Sequence, residues 1–242
     1  SRYGDVDIAS PTTVTADAVP GPYDVVILSA KGYDLDSAID AIAPAVGPDT
    51  AVLPLLNGMR HLDVLDARFG AGSVLGGMCL ISTVLRPDGS IDHLGEPHSL
   101  VHGERSGGKT ARSAAVQEAL TRAGFDAVES DDVLQDMWEK WVFLATAAGT
   151  TALMRAAIGD VVAAGGTPLI ERLLDEVSGI AEEQGRAPRP PAREQIHGTV
   201  TQAGSPMTAS MLRDMESGAR IEADHVLGDL LARAGDRPVD LL

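Results

Sequence analysis

Three lysines and one asparagine stand apart in this chain. Of the 19 basic residues all but Lys31, Lys109 and Lys140 are arginine. A guanidinium stays protonated at any working pH, whereas an ammonium is tuned by burial and can release its proton, so Lys is the cation suited to general acid work. Lys109, in SGGKTAR, reads as a surface residue at a helix start, while Lys31 and Lys140 have apolar neighbours. The single asparagine, Asn57, ends the apolar run of AVLPLLNGMRH. A neutral amide offers two donors and an acceptor without adding charge, which suits a sugar hydroxyl or a substrate oxygen. Each residue also has a plainer reading. Lys31 could be a solvated strand cap, Asn57 half of a favoured Asn-Gly turn, and Lys140 an amphipathic helix lysine with its stem on aromatic rings.

Elements must bring these distant positions together, and the chain supplies two kinds. From Ser1 to about Val128, strand-like runs alternate with helical periods: YDVVILSAK, DLDSAIDAIAPAV, TAVLPLLNG, HLDVLDARFG and SVLGGMCLISTVL. Such alternation reads as successive β-α units on a parallel sheet. Lys31 and Asn57 then fall at the carboxyl ends of consecutive strands, the edge where open α/β sheets bind ligands. A Pro-Asp-Gly turn within CLISTVLRPDGSIDHLG predicts an antiparallel hairpin. SAAVQEALTRAG predicts a helix closed by Gly124. The opening stretch before YDVVILSAK reads as a β-rich excursion into the first strand.

Beyond about Glu129 the strand signal fades. DVLQDMWEKWVFLATAAGTTALM, TPLIERLLDEVSGIAEEQG and REQIHGTVTQAG are helical by period, and Lys140 lies among Trp138, Trp141 and Phe143 in the first of them. GRAPRPPAR, 185–193, is expected as a rigid loop between helices, because prolines lack an N–H and bias their predecessors to extended shapes. The expected organisation is therefore a nucleotide-binding α/β domain over 1–128 and an all-α substrate domain over 129–242.

Composition removes other classes. The net charge of −16 would repel a phosphate backbone, and no basic cluster offsets it, so nucleic acid is not an expected partner. The longest apolar runs, such as VVILSA, are too short to cross a bilayer, and no membrane partner or leader segment is read; the expected location is cytoplasmic. Cys79 is the only cysteine, which excludes an intrachain disulfide, and its Met and Leu neighbours make it a packing residue. Many apolar helices in the second half are compatible with a homodimer.

A G-x-G-x-x-G phosphate-binding turn is missing from the sequence. FGAGSVLGG at 69–77 has other spacing and follows a helix, the wrong order for aiming a helix N-terminus at a pyrophosphate. It is read as a turn. A strand as apolar as VVILSA is normally paired on both sides. The expectation is a dinucleotide-binding domain entered partway, lacking one β-α-β unit of about 50 residues.

Four separated segments, YDVVILSAKGYDL, LPLLNGMRH, DMWEKW and ASMLRDMESGARIEADHVLG, together with the hairpin DGSIDHLGE, resemble the ketopantoate reductase (2-dehydropantoate 2-reductase) family across nearly the whole chain. The resemblance implies an α/β Rossmann-like parallel sheet, incomplete at its N-terminus, followed by an all-α domain, with shortening at both ends. It implies reduction of a 2-oxo acid with NADPH. By the same resemblance Lys140 and Glu222 are the candidate catalytic residues, with Lys140 the general acid. Asn57 and Ser210 are substrate-binding, and Lys31, Asn57 and Glu222 cofactor-binding. No metal is implied. A serine hydroxyl can donate to a substrate carboxylate, and a carboxylate beside a lysine holds its ammonium charged.

Departures from the family pattern are specific. Asparagines usual one and two helical turns after the catalytic lysine are Leu144 and Ala148 here, and Met207 stands three residues before the serine. Amides at those places would bind the hydroxyls of ketopantoate, so a less polar 2-oxo acid fits better. A catalytically silent nucleotide-binding or regulatory protein on the same scaffold, and another β-hydroxy acid dehydrogenase, remain the alternatives.

Overall fold

A computed structural model describes residues 7–8, 10–86 and 88–242. Its contacts group the chain into two units, one of Ser1–Ala30, Asp34–Leu56 and Leu62–Val133, the other of Lys31–Tyr33, Asn57–His61 and Leu134–Leu242. Among the described residues no helix is long and apolar enough to cross a membrane.

The first unit is built on two sheets. Strand β1, Val25–Leu28, runs parallel to β2, Ala51–Pro54, with Val25 opposite Ala51 and Leu28 opposite Pro54. Helix α1, Leu35–Ile42, lies between them in sequence and buries Leu35 and Ile39, one turn apart on the same face. Ala51, Val52 and Leu53 are buried on successive positions, as expected of a parallel strand covered on both faces. Helix α2, Arg60–Phe69, leads to a parallel bridge in which Val52 N–H donates to Ser73 O at 2.8 Å and Leu75 N–H to Val52 O at 2.9 Å. The chain thus returns beside β2.

Strand β3, Gly76–Leu85, then pairs antiparallel with β4, Ile91–Gly103, with a register shift between Ile81 and Thr83. Their turn closes through Arg86 N–H to Ser90 O, and Pro87 of the expected Pro-Asp-Gly turn lies outside the described residues. Helix α3, Ala111–Thr121, opens on a reciprocal cap between Thr110 and Ser113 and returns the chain to β5, Asp126–Glu129, parallel to β4. Ala51, Leu53, Leu75, Leu100 and Val116 form the apolar centre, with Cys79 packed at its margin. Each fully buried leucine there contributes about 1.5–3 kcal/mol. Gly77 permits the closeness, since a Cβ there would lie 2.5 Å from Leu53 Cδ1 and 2.7 Å from Pro54 O.

One expectation fails in this unit. Residues 10–24 form no strand, only a 3-10 turn at Ala16–Ala18. The β-branched residues favour extended backbone, but Pro11, Pro20 and Pro22 remove donors that a ladder would need.

The second unit is helical. Helix α4, Val133–Met154, is its longest element and buries Met137, Trp138, Trp141, Val142, Ala145 and Ala148. Helix α5, Ile158–Ala163, precedes α6, Thr167–Glu183, whose Ile170, Leu173, Leu174, Val177, Ile180 and Ala181 repeat at helical spacing and are all buried. Helix α7, Pro190–Val200, corrects the reading of GRAPRPPAR as a loop to its end. Pro190 and Pro191 occupy the first helical positions, where a missing N–H costs nothing and a fixed φ already suits the helix. Helix α8, Ser210–Glu216, is followed by a π-helical turn, Asp224–Gly228, that runs into α9, Asp229–Arg233. No strand follows β5 among the described residues.

Candidate active site

Two short segments that follow β1 and β2, residues 31–33 and 57–61, belong to the helical unit, and with α4, α8 and the start of the π-helical turn they gather the chemistry. Asn57 stands three residues past β2. Gly58 takes φ +74°, a left-handed conformation that glycine alone adopts without penalty. The Asn-Gly pair is therefore a turn, and the turn presents the amide. Lys140, on the third turn of α4, donates from Nζ to Asn57 Oδ1 at 3.1 Å across 83 residues of sequence. The ammonium is held by a neutral acceptor, and the amide retains its two N–H groups for another partner.

Glu222 is a second focus. Its carboxylate is buried, with Oε1 accepting from Gly32 N–H at 2.9 Å and Oε2 from Lys31 Nζ at 3.1 Å. Asp214, on α8, lies 3.5 Å from the same ammonium. Burial alone would lower the Lys31 pKa, but Glu222 and Asp214 outweigh it and hold the ammonium above its ordinary value. The lysine whose charge this carboxylate supports is thus Lys31. Tyr33 adds a third tie, with the Arg220 guanidinium 4.0 Å from its ring centre and donating to its carbonyl oxygen at 3.2 Å.

Between these foci sits His225, which the sequence reading passed over. Its ring is buried and stacks on His61 with centres 5.8 Å apart. A Cβ at Gly32 would meet His225 Cγ at 2.5 Å, and one at Gly58 would meet the His225 carbonyl oxygen at 2.8 Å. Both glycines exist to admit this residue. Burial lowers the His225 pKa, against the opposing pull of Glu222 and Asp229. The π-helical turn that carries it also offers Val226 O to the Trp141 indole N–H at 2.8 Å, which fixes α4 one residue from Lys140.

Ser210 is the exposed first residue of α8, one turn before Asp214 on the same face. Leu144 and Met207 are half-buried and Ala148 buried. Leu144 and Ala148 follow Lys140 along one helix face, which is apolar on that side. His61, Asp214 and His225 all lay within the segments already singled out by their motifs. Only a pairing of the two histidines across 164 positions, 225 − 61, would have marked them, and sequence spacing carries no such signal.

The chain matches the family described as ketopantoate reductase PanE/ApbA over residues 1–107 and the C-terminal part of the same family over residues 132–241. It belongs to the ketopantoate reductase family. The uncharacterized oxidoreductase YkpB of Bacillus subtilis is 34% identical over 215 residues, 88% of this chain and 71% of that one. The 2-dehydropantoate 2-reductase of Halobacterium salinarum is 26% identical over 237 residues, covering 98% and 77% of the two chains. Solved structures share the fold of this ketopantoate reductase family member. The 2-dehydropantoate 2-reductase of Methylococcus capsulatus superposes with a TM-score of 0.80 at 22% identity, over 94% of this chain and 73% of that one. A D-mandelate dehydrogenase in ternary complex with NADH and anilino(oxo)acetate gives 0.78 at 18%, over 93% and 74%. Membership places the chain among nicotinamide-dependent oxidoreductases.

Proposed function

We propose that this protein reduces a 2-oxo acid of low polarity to the 2-hydroxy acid, with NADPH as reductant. The observation that carries the reading is the 3.1 Å contact between Lys140 Nζ and Asn57 Oδ1. Reduction of a carbonyl requires a proton at the oxygen as electrons arrive at the carbon, because the developing alkoxide is strongly basic. Lys140 polarises the carbonyl oxygen through an N–H bond and then gives up that proton, leaving a neutral amine that regains a proton from water. Asn57 holds the ammonium in place without neutralising its charge.

The cofactor's polar part fits the residues after β1. Lys31 is 45% exposed, charged, and engaged on one side by Glu222 and Asp214, so its outward donor is available to a phosphate or hydroxyl. The Asn57 amide N–H groups serve a ribose hydroxyl or the substrate, and Glu222 fixes the Lys31–Gly32 backbone. When bound, the nicotinamide supplies the hydride. Ser210, exposed at the start of α8, donates to the substrate carboxylate.

Leu144, Ala148 and Met207 decide the substrate class. Apolar side chains leave hydroxyls unpaired, which a polyhydroxylated acid would suffer from and an alkyl or aryl one would not. The D-mandelate dehydrogenase, with its anilino-substituted oxoacetate and NADH, is a precedent on this fold for such a ligand and for the other nicotinamide cofactor. The test is an assay of the full-length protein with NADPH and NADH against a panel of 2-oxo acids. Turnover that favours alkyl or aryl acids over ketopantoate is expected, lost in Lys140→Ala. Cofactor binding with no turnover across the panel overturns it and favours a silent binding protein.

A further inference from the structure

His225 has no role in the chemistry above, yet it touches both foci. Its backbone N–H donates to Glu222 O at 3.1 Å, and Gly32 and Gly58 are both cut back to glycine against it. Nε2 is buried with no hydrogen-bond partner among the described residues. An N–H at Nε2 would have no acceptor, so the neutral ring carries its proton on Nδ1.

We propose that His225 is a positioning residue, a neutral Nδ1–H wedge that fixes the Asn57–Gly58 turn under Lys140 and the Lys31–Gly32 segment against Glu222, and that protonating it disables the site. The proposal rests on the reductase reading for its catalytic consequence, but not for its structural content. A proton on Nε2 would put a charge in a pocket with no acceptor for the new N–H. The charged and titratable groups around the ring are Glu222 and Asp229, which favour that charge, Arg60, which opposes it, and His61, stacked on its face. Burial outweighs the two carboxylates, so the neutral form persists below the ordinary histidine value of 6.5. As pH falls further, the ring gains a proton and the Asn57 turn loses its fixed position under Lys140. Displacement of a positioning group by about 1 Å can cost on the order of 100-fold in rate.

The test uses the full-length protein, nitrogen-15 spectra of its histidine rings, and kcat against pH for the wild type, His225→Phe and His225→Asn. Asn places an amide N–H where Nδ1 stood and has no titration of its own. At neutral pH the His225 ring should show a protonated Nδ1 and a bare Nε2, and its titration should coincide with the acid limb of kcat. His225→Phe should lower kcat about 10- to 100-fold with KM changed far less, and His225→Asn should recover most of the rate and lose that limb. A protonated Nε2 in the neutral ring, or a Phe variant with wild-type kcat and pH profile, overturns the proposal. If the Phe variant does not fold, an unchanged acid limb in His225→Asn overturns it alone. Should the wild type reduce no 2-oxo acid, the reductase reading fails, and the ring spectra still decide whether His225 holds the Asn57 turn.

Discussion

Lys140 and Asn57 meet at 3.1 Å although 83 residues separate them, and the pairing sets what each can do alone. An amide oxygen orients an ammonium without holding its proton as a carboxylate would. Lys140→Ala should therefore lower kcat by about 100- to 10,000-fold, the range for loss of a general acid. Asn57→Asp should fold well and lower kcat by a smaller factor, because a carboxylate at that distance favours the charged form of Lys140 and weakens it as an acid. Steady-state kinetics of the two single variants and the double variant check this. Additive effects would show that the contact has no catalytic meaning.

The Lys31–Glu222 pair makes an alkaline prediction. Burial lowers the Lys31 pKa, but the carboxylates of Glu222 and Asp214 prevail and raise it above the ordinary 10.5. A raised folded value means the pair's contribution is fully present below 10.5 and is lost as pH rises through the folded pKa. Urea midpoints of the wild type should fall across that window. In Glu222→Gln the fall should be shallower and the neutral-pH midpoint lower, since Gln keeps an acceptor for Gly32 but removes the charge. The KM for NADPH should rise in the same variant.

The strands and helices were legible in the sequence because their patterns are local. VVIL, AVLP and the helical periods of α4 and α6 specify themselves, and the parallel arrangement follows from their alternation. Lys31, Asn57, Lys140 and Glu222 were legible as candidates, by residue type or by motif. Their partners were not. That Glu222 ties Lys31, and that His225 fills the space of two missing Cβ atoms, depends on tertiary approach across about 190 residues of chain. The same limit explains the two misread segments. Thr and Val before Val25 favour a strand only if another strand accepts them, and the prolines of α7 begin a helix because a first helical turn has no use for their missing N–H groups.

Substrate choice should respond to α4. Leu144 follows Lys140 by one turn on the same face, and Met207 is half-buried before α8. Leu144→Asn and Met207→Asn should each improve kcat/KM for ketopantoate relative to an alkyl 2-oxo acid, by about 10-fold or more where a hydroxyl gains a partner. Unaltered ratios in both variants, measured by direct competition of the two acids, would remove these residues from the specificity argument.

Helix α4 is itself anchored one residue from Lys140, and the anchor should govern stability. Glu139 is buried at 9% exposure and accepts from Arg189 N–H at 2.9 Å, Nε at 2.7 Å and Nη2 at 2.6 Å, with Gln135 Nε2 at 3.1 Å. Arg189→Ala leaves that carboxylate buried without its guanidinium and should destabilise the fold by about 1–3 kcal/mol, read as a lower urea midpoint. Arg189→Lys should recover only part of the loss, because an ammonium cannot reproduce the two-pronged geometry. Burial raises the Glu139 pKa, but the Arg189 and Gln135 hydrogen bonds overcome it and set the folded value below the ordinary 4.5. The contribution is thus present above 4.5 and lost as pH falls through the folded value, so the gap between wild type and Arg189→Ala should close in acid. A gap that stays constant down to the acid transition would mean that the Arg189 stem and its packing, and not the ion pair, hold α7 to α4.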